Sequence, residues 1–200
     1  VKAIPNGDGN MDFSTPDGRK LVVVENDLSC YDGVVRVWRD DCTAMDAGNA
    51  AAHWFSEYLG RPCRLVRIMD EFIRLTDQNY SRRGDQVSFA DGFPLLVTNL
   101  ASLEKLKTHF PPDIDIGMER FRPNIVLEGA QPFEEDFIHE IRIADVILEF
   151  VKPCNRCMVT TIDQSEGVSH SNEPLETLAK IRHGKGRGLQ GVFFGQNAIP

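Results

Sequence analysis

Short apolar runs, many rich in β-branched residues and most closed by turn signals, constrain this chain more than any other feature. Pro16-Asp17-Gly18 precedes Leu21-Val22-Val23-Val24, and Tyr31-Asp32-Gly33 precedes Val34 to Trp38, the pattern of strands joined by hairpin-like turns. In the latter run Val35 and Val37 alternate with Val34, Arg36 and Trp38, so one face can pack while Arg36 reaches solvent. Cys42 to Met45 and Cys63 to Ile68 read as further strands. Between them lies a helix, with Asn49 as its cap, Trp54, Phe55, Tyr58 and Leu59 as its stripe, and Gly60 then Pro62 as its stop.

Asp70 to Gln86 is polar and reads as a connecting loop. Beyond it Leu95 to Thr98 suits a strand, and Leu100, Leu103, Leu106 and Phe110 repeat at helical spacing until Pro111-Pro112 stops them. Asn124 to Leu127, Glu140 to Ile143 and Val146 to Val151 read as strands, with Ala144-Asp145 a tight turn. Cys157 to Ile162 is Thr- and Val-rich, so the cysteine pair before it is expected to open a strand. Pro174 fits the first turn of a third helix, with Asn172 as its cap and Leu175, Leu178 and Ile181 as its stripe. His183 to Gly188, glycine at every second position, is expected to break regular structure. The sum is eight to nine strands and three helices, a β-rich α+β chain without the βαβ alternation of a parallel sheet.

The 200 residues, 42% hydrophobic, suffice for one large domain or two small ones. A net charge of −8 opposes bulk attraction to a nucleic-acid duplex, so an anionic ligand needs a local basic pocket. No run approaches the roughly 18 apolar residues of a membrane span, and Val-Lys-Ala-Ile-Pro is unlike a signal peptide. The five cysteines, Cys30, Cys42, Cys63, Cys154 and Cys157, are odd in number and dispersed, which favours reduced thiols in a cytoplasmic compartment. The start lacks an initiator Met and reads as the middle of a domain.

Cys154-Asn155-Arg156-Cys157 is the sharpest local feature. Two thiols at this spacing can chelate a metal, form a redox disulfide, or present one activated thiolate, and spacing alone leaves all three open. A zinc site needs further ligands, and His170 and His183 lack the usual short spacing. A thioredoxin-like pair belongs at a strand-to-helix junction, whereas a strand is expected here. Arg122 offers a forked cation for an anionic group, and Asn124 offers donor and acceptor to an amide-like ring edge. Taken singly, a surface ion pair for Arg122 and a turn or strand-edge bond for Asn124 are the commoner explanations. Ser88 to Pro94 places Asp91 in a Gly- and Pro-containing loop, Gly195-Gln196-Asn197 reads as a turn, and Gly-Lys-Gly-Arg-Gly matches neither a Walker loop nor a dinucleotide fingerprint.

In order, SFADGFPLL, ASLEKL, RFRPNIVLEG, FEED, IRIADVILEFVKPCNRCMVTTID, EPLETL and VFFGQN resemble the MOSC domain, named for the molybdenum cofactor sulfurase C-terminus. The branch they resemble is that of bacterial proteins related to the mitochondrial amidoxime-reducing component. This resemblance implies a β-rich, MOSC-type β-barrel with a few helices over residues 86–200, lacking its C-terminal strands. Residues 1–68 would be part of an N-terminal β-barrel-like domain and 69–85 the connection. The family's opening strand, with its His-Pro-Val-Lys-Ser-like segment, is missing, which implies a chain shortened at both ends.

The resemblance also implies a molybdenum cofactor (molybdopterin) whose metal is bound by Cys157, with Cys154 a neighbour rather than a ligand. Asp91, Arg122, Asn124, Asn155 and Arg156 would surround the pterin. The implied activity is an oxidoreductase that reduces N-hydroxylated small molecules by oxygen-atom transfer. Its electrons would come from a separate or appended electron-transfer protein, since the sequence carries no flavin, nicotinamide or iron–sulfur fingerprint. The rival readings are a cofactor carrier or sulfur-transfer module and a noncatalytic binding domain.

Overall fold

The β-branched runs become strands, but the sheets they join are small at the beginning of the chain and continuous towards its end. A computed structural model describes residues 1–186 and 189–200 and divides the chain into two units, residues 1–74 and 75–200. The fold is α+β and β-rich, with three α-helices among the described residues. None of its described helices is long and apolar enough to cross a membrane.

In the first unit β1 (Lys2–Pro5), β2 (Met11–Ser14) and β3 (Lys20–Val23) form an antiparallel meander. The run expected as one strand from Cys42 to Met45 is two, because the chain changes partners at Thr43. β4 (Ser29–Cys30) pairs with β7 (Ala44–Asp46), whereas β5 (Val35–Val37) pairs with β6 (Asp40–Cys42). Trp38 turns that hairpin with φ 56° and leaves Arg36 exposed between half-buried Val35 and Val37. Helix α1 (Gly48–Leu59) follows, then β8 (Val66–Ile68) on the free edge of β7. Asn49 is not its cap. The helix starts one residue earlier, where Asp46 Oδ1 accepts from the Gly48 amide at 2.9 Å, and Asn49 receives Arg64 instead. Gly60, with φ 67°, ends α1 in the left-handed geometry that suits glycine. Phe55 meets Phe13 of β2 edge to face at 5.2 Å.

The second unit is a curled half-barrel sheet. It contains β9 (Leu95–Asn99), α2 (Leu100–Lys107), β10 (Ile125–Leu127), β11 (Glu140–Ile143), β12 (Val146–Asn155), α3 (Leu175–Ile181), β13 (His183–Gly186) and β14 (Leu189–Ile199). The strand order is β10-β9-β14-β12-β11, with β13 also on β14. β10 runs parallel to β9, Ile125 opposite Val97, a single parallel pair that the strand and helix pattern of the sequence did not reveal. The sequence disguises it: α2 is only eight residues long, and a long irregular stretch follows before β10. A parallel pair requires such a crossover. Asn99 caps α2 by accepting from the Ala101 amide at 3.0 Å. Leu103 and Leu106 of α2, Ile116, Phe121, Leu178 of α3 and Phe194 of β14 form one buried cluster. Val97, Leu148 and Ala198 centre another.

Two further expectations fail in this unit. His183–Gly186 is not a break but strand β13, paired with β14 from His183 opposite Val192 to Gly186 opposite Leu189; Arg187 and Gly188 lie outside the described residues. Backbone pairing here does not require side chains, so the glycines hide the strand. Gln196 and Asn197 are likewise not in a turn but inside the 11-residue β14, where Gln196 Nε2 donates to Asp136 Oδ1 at 2.8 Å. Asp136 also pairs with Arg182 at 2.6 Å.

Candidate functional site

Strand β12 ends at the cysteine pair, and the strand expected after Cys157 is a 3-10 turn, Met158–Thr161. Its two threonines explain the difference. Thr160 Oγ1 donates to the Cys157 carbonyl and Thr161 Oγ1 to that of Met158, each at 2.9 Å, so both hydroxyls are satisfied locally and override the residues' strand preference. Both threonines are buried, while Met158 and Val159 are 59% and 45% exposed. The cysteine pair therefore leads from a strand into one short helical turn, and the absence of a strand-to-helix junction no longer weighs against a thioredoxin-like pair.

The register of β12 against β14 shifts between Phe150 and Lys152 and again between Pro153 and Asn155. Such irregularities re-aim side chains at a sheet rim. Pro153 needs no ladder partner on its other side, because β11 pairs only as far as Glu149. Within the second shift Cys154 is half-buried, and past it Cys157 is exposed. Burial pushes the Cys154 thiol above its ordinary pKa, opposed by Arg156 and reinforced by the nearby charges of Asp91 and Cys157. Cys154 is thus the inward thiol, its burial favouring the neutral form, and Cys157 the exposed one.

A second 3-10 turn, Met118–Phe121, packs against the first. Arg120 is buried between them, its Nη1 donating to the Thr161 carbonyl at 2.6 Å and its Nη2 lying 3.7 Å from Asp163. Phe121 stacks on Phe194 with centroids 4.1 Å apart. Arg122 then takes the left-handed conformation, φ 55° and ψ 48°, at a cost of about 1–2 kcal/mol for a side chain of this kind. It is exposed, and its guanidinium makes no ion pair among the described residues.

Asn124 is committed to the fold. Its Oδ1 accepts from the Leu96 amide at 2.8 Å while its own amide donates to the Leu96 carbonyl at 2.9 Å, which prolongs the β10–β9 pairing. Asn155 donates from Nδ2 to the Gln190 carbonyl at 3.3 Å, and its side chain fills the space a Cβ on Gly191 would occupy. Arg156 donates from Nη2 to the Phe121 carbonyl at 2.6 Å and from Nη1 to Cys154 Sγ at 3.0 Å. Asp91 is exposed, its charge felt at Cys154.

The residues singled out in the sequence therefore fall into one neighbourhood with different engagements. Cys154 to Cys157 and the Phe121-Arg122 turn are joined directly through Arg156, Asp91 is electrostatically coupled to Cys154, and Asn124 faces Leu96. Sequence reasoning missed Arg120, which ties the two turns together. Its only signal is an Arg two positions before Arg122 in Met-Glu-Arg-Phe-Arg. Among the described residues no three His, Cys, Asp or Glu side chains gather as a metal-holding group.

The MOSC domain model matches residues 84–198, the stretch that carries this site and nearly all of the half-barrel. The chain belongs to the MOSC domain family. Among its relatives, mitochondrial amidoxime reducing component 2 of Macaca fascicularis is 36% identical over 180 residues, covering 85% of this chain and 52% of the relative. Mitochondrial amidoxime-reducing component 1 of Mus musculus is 38% identical over 151 residues, covering 74% and 44%. Molybdenum cofactor sulfurase of Oryza sativa subsp. japonica is 32% identical over 160 residues, covering 73% and 19%. The chain thus spans about half the length of the first two and about a fifth of the third.

Proposed function

We propose that this chain is a molybdenum-cofactor-binding oxidoreductase module that reduces N-hydroxylated small molecules, with Cys157 as the protein's metal-binding thiolate. The observation that carries the reading is the unequal pair: an exposed Cys157 beside an inward, protonation-favoured Cys154, in a MOSC domain with relatives named as amidoxime-reducing components and a molybdenum cofactor sulfurase. Residues 1–68 are read as part of the N-terminal β-barrel-like domain, 69–85 as the connection and 86–200 as the MOSC domain.

The residues present suit an anionic pterin group. Arg122 holds an outward guanidinium at a bent backbone position, Asp91 and Asn155 are exposed nearby, and Asn124 keeps its Nδ2 donors after its oxygen is used. The charge of Arg156 adds to this local positive field in a chain of net charge −8. When bound, the cofactor supplies two-electron redox chemistry and a position that accepts oxygen from the substrate. Cys157 would fix the metal's place, Arg122 would orient the group's anionic periphery, and exposed Met158 and Val159 offer an apolar surface beside the thiol. Electrons come from a separate or appended electron-transfer protein, and the five free thiols suit a reducing, cytoplasmic compartment.

The test is expression in a cofactor-competent host, with molybdenum analysis and reduction of an amidoxime by a chemical electron donor. Cys157→Ala is expected to reduce turnover to background and strip the metal, whereas Cys154→Ala keeps much of both. Equal loss in the two variants overturns the assignment. The sulfurase relative favours a second reading, a cofactor carrier or sulfur-transfer module, which predicts bound molybdenum without turnover.

A further inference from the structure

We infer that Arg156 is a positioning residue, a two-pronged clamp that fixes the direction of the Cys157 thiol by tying Cys154 to the turn that carries Arg122. This rests on the proposed function only where it speaks of the metal; the clamp itself is geometry. One prong, Nη2, reaches the Phe121 carbonyl at 2.6 Å, and the other, Nη1, reaches Cys154 Sγ at 3.0 Å. The base of the clamp is the backbone, where the Arg156 amide donates to the Val192 carbonyl of β14 at 2.8 Å. The guanidinium carbon lies 5.6 Å from the centre of the Phe121 ring, which also stacks on Phe194.

Nε of Arg156 is buried and has no hydrogen-bond partner among the described residues. An unsatisfied buried donor is unfavourable, so the side chain is held inward by its two outer nitrogens despite that loss. Both prongs end on protein atoms. Each outer nitrogen keeps a second N–H, but with both anchored the guanidinium's place is set by the protein, and Arg156 acts on the site through the segments it joins. Its anchors lie on both sides of the site: the Phe121 carbonyl directly precedes strained Arg122, and Cys154 and Cys157 flank Arg156 in the chain. A planar fork with fixed donor directions can span two acceptors on separate segments, whereas a lysine ammonium on a flexible stem cannot reproduce that pairing. Residues that orient a metal's ligand typically contribute about 10–100-fold in metal affinity or activity.

The experiment uses Arg156→Lys and Arg156→Met in the full natural polypeptide, with circular dichroism to confirm folding. In cofactor-free protein, N-ethylmaleimide labelling read by peptide mass spectrometry should modify Cys157 and spare Cys154 in the parent. Both variants should label Cys154 about tenfold faster or more, in line with loss of a hydrogen bond from a charged donor. After expression in a cofactor-competent host, both should hold molybdenum about 10–100-fold more weakly, with kcat falling and KM for the amidoxime unchanged. Cys154→Ala, which leaves the Phe121 prong intact, should lose less than either. The clamp is overturned if Arg156→Lys restores Cys154 protection and metal content, since charge alone would then suffice, or if Cys154 stays protected in Arg156→Met. A parent protein that takes up no molybdenum sinks the cofactor reading instead, and the labelling still decides the clamp.

Discussion

Each of the two units is stabilised by different physics. Residues 1–74 bury few apolar side chains, Phe13, Cys42, Ala44 and Ala51, under short strands in small sheets. Ion pairs supplement that thin core: Arg74 to Asp40 and Arg64 to Asp46, both at 2.7 Å, and Arg36 to Asp41 at 2.6 Å. Residues 75–200 instead close around Phe121, Phe194, Leu106 and Leu178, all fully buried, and a single long strand, β14, pairs with three others. The difference bears on the site. A thiol presented at a sheet rim needs a rigid support, and the unit with the continuous sheet and aromatic stack is the one that carries it.

The sharpest way to break this contrast is to remove the same side chain from each unit. Phe121→Ala should cost about 3–5 kcal/mol, since it deletes a fully buried ring stacked at 4.1 Å. Phe13→Ala, at the edge of a thinner core, should fall at or below the lower end of that range. Both tryptophans, Trp38 and Trp54, lie in the first unit, so their fluorescence reports on that unit during urea unfolding while circular dichroism reports on the whole chain. Phe121→Ala should move the circular dichroism transition and leave the fluorescence transition in place. Coincident shifts would show that the units unfold together and that the contrast has no thermodynamic meaning.

A smaller effect sharpens the electrostatic half of the comparison. The Arg74 side chain is 5% exposed and the Asp40 side chain 49%, so Asp40→Ala removes one partner of a buried cation while the carboxylate lost was itself half in water. The expected cost is about 1–3 kcal/mol, between the values for exposed and buried pairs, read as a lower urea midpoint in tryptophan fluorescence. A change below about 0.5 kcal/mol would class the pair with ordinary surface contacts.

What the sequence made legible obeys the same division of forces. Hydrophobic periodicity exposed the stripe of α2, because burial of Leu103 and Leu106 decides its structure, and β-branched residues flanking a turn signal exposed the hairpin of β11 and β12. The β10 crossover, the strand at His183–Gly186 and the turn after Cys157 depend instead on backbone pairing and on hydroxyls bonding to nearby carbonyls, which residue type does not announce. Caps misled for a similar reason. Asn172 looked like the start of α3, yet it is Glu173 that accepts from the Thr177 amide at 3.0 Å and from its hydroxyl at 2.9 Å. At the site, the type of Cys157 and Arg122 could be read, but not which thiol turns inward, nor that Arg156 spends both prongs on protein atoms.

The smallest expected effect separates burial from charge within the second unit. Glu135 is fully buried, and one of its oxygens accepts from Ser102 at 2.7 Å and from Asn99 at 3.1 Å while the other has no hydrogen-bond partner among the described residues. Burial pushes its pKa above the ordinary glutamate range, and those hydrogen bonds only partly oppose the shift. The unfolded chain therefore releases this proton at a lower pH than the native one does. The native state gains from keeping the proton below the ordinary glutamate range, and that gain is lost progressively as pH rises from there towards the raised native value. Glu135→Gln cannot ionise, so its contribution should be level across this interval, and its stability at neutral pH should equal or exceed the parent's. Urea midpoints from circular dichroism at a series of pH values provide the measurement. A parent that gains stability relative to Glu135→Gln as pH rises would mean that the carboxylate is held ionised by a compensating cation, and the second unit would then share the electrostatic character of the first.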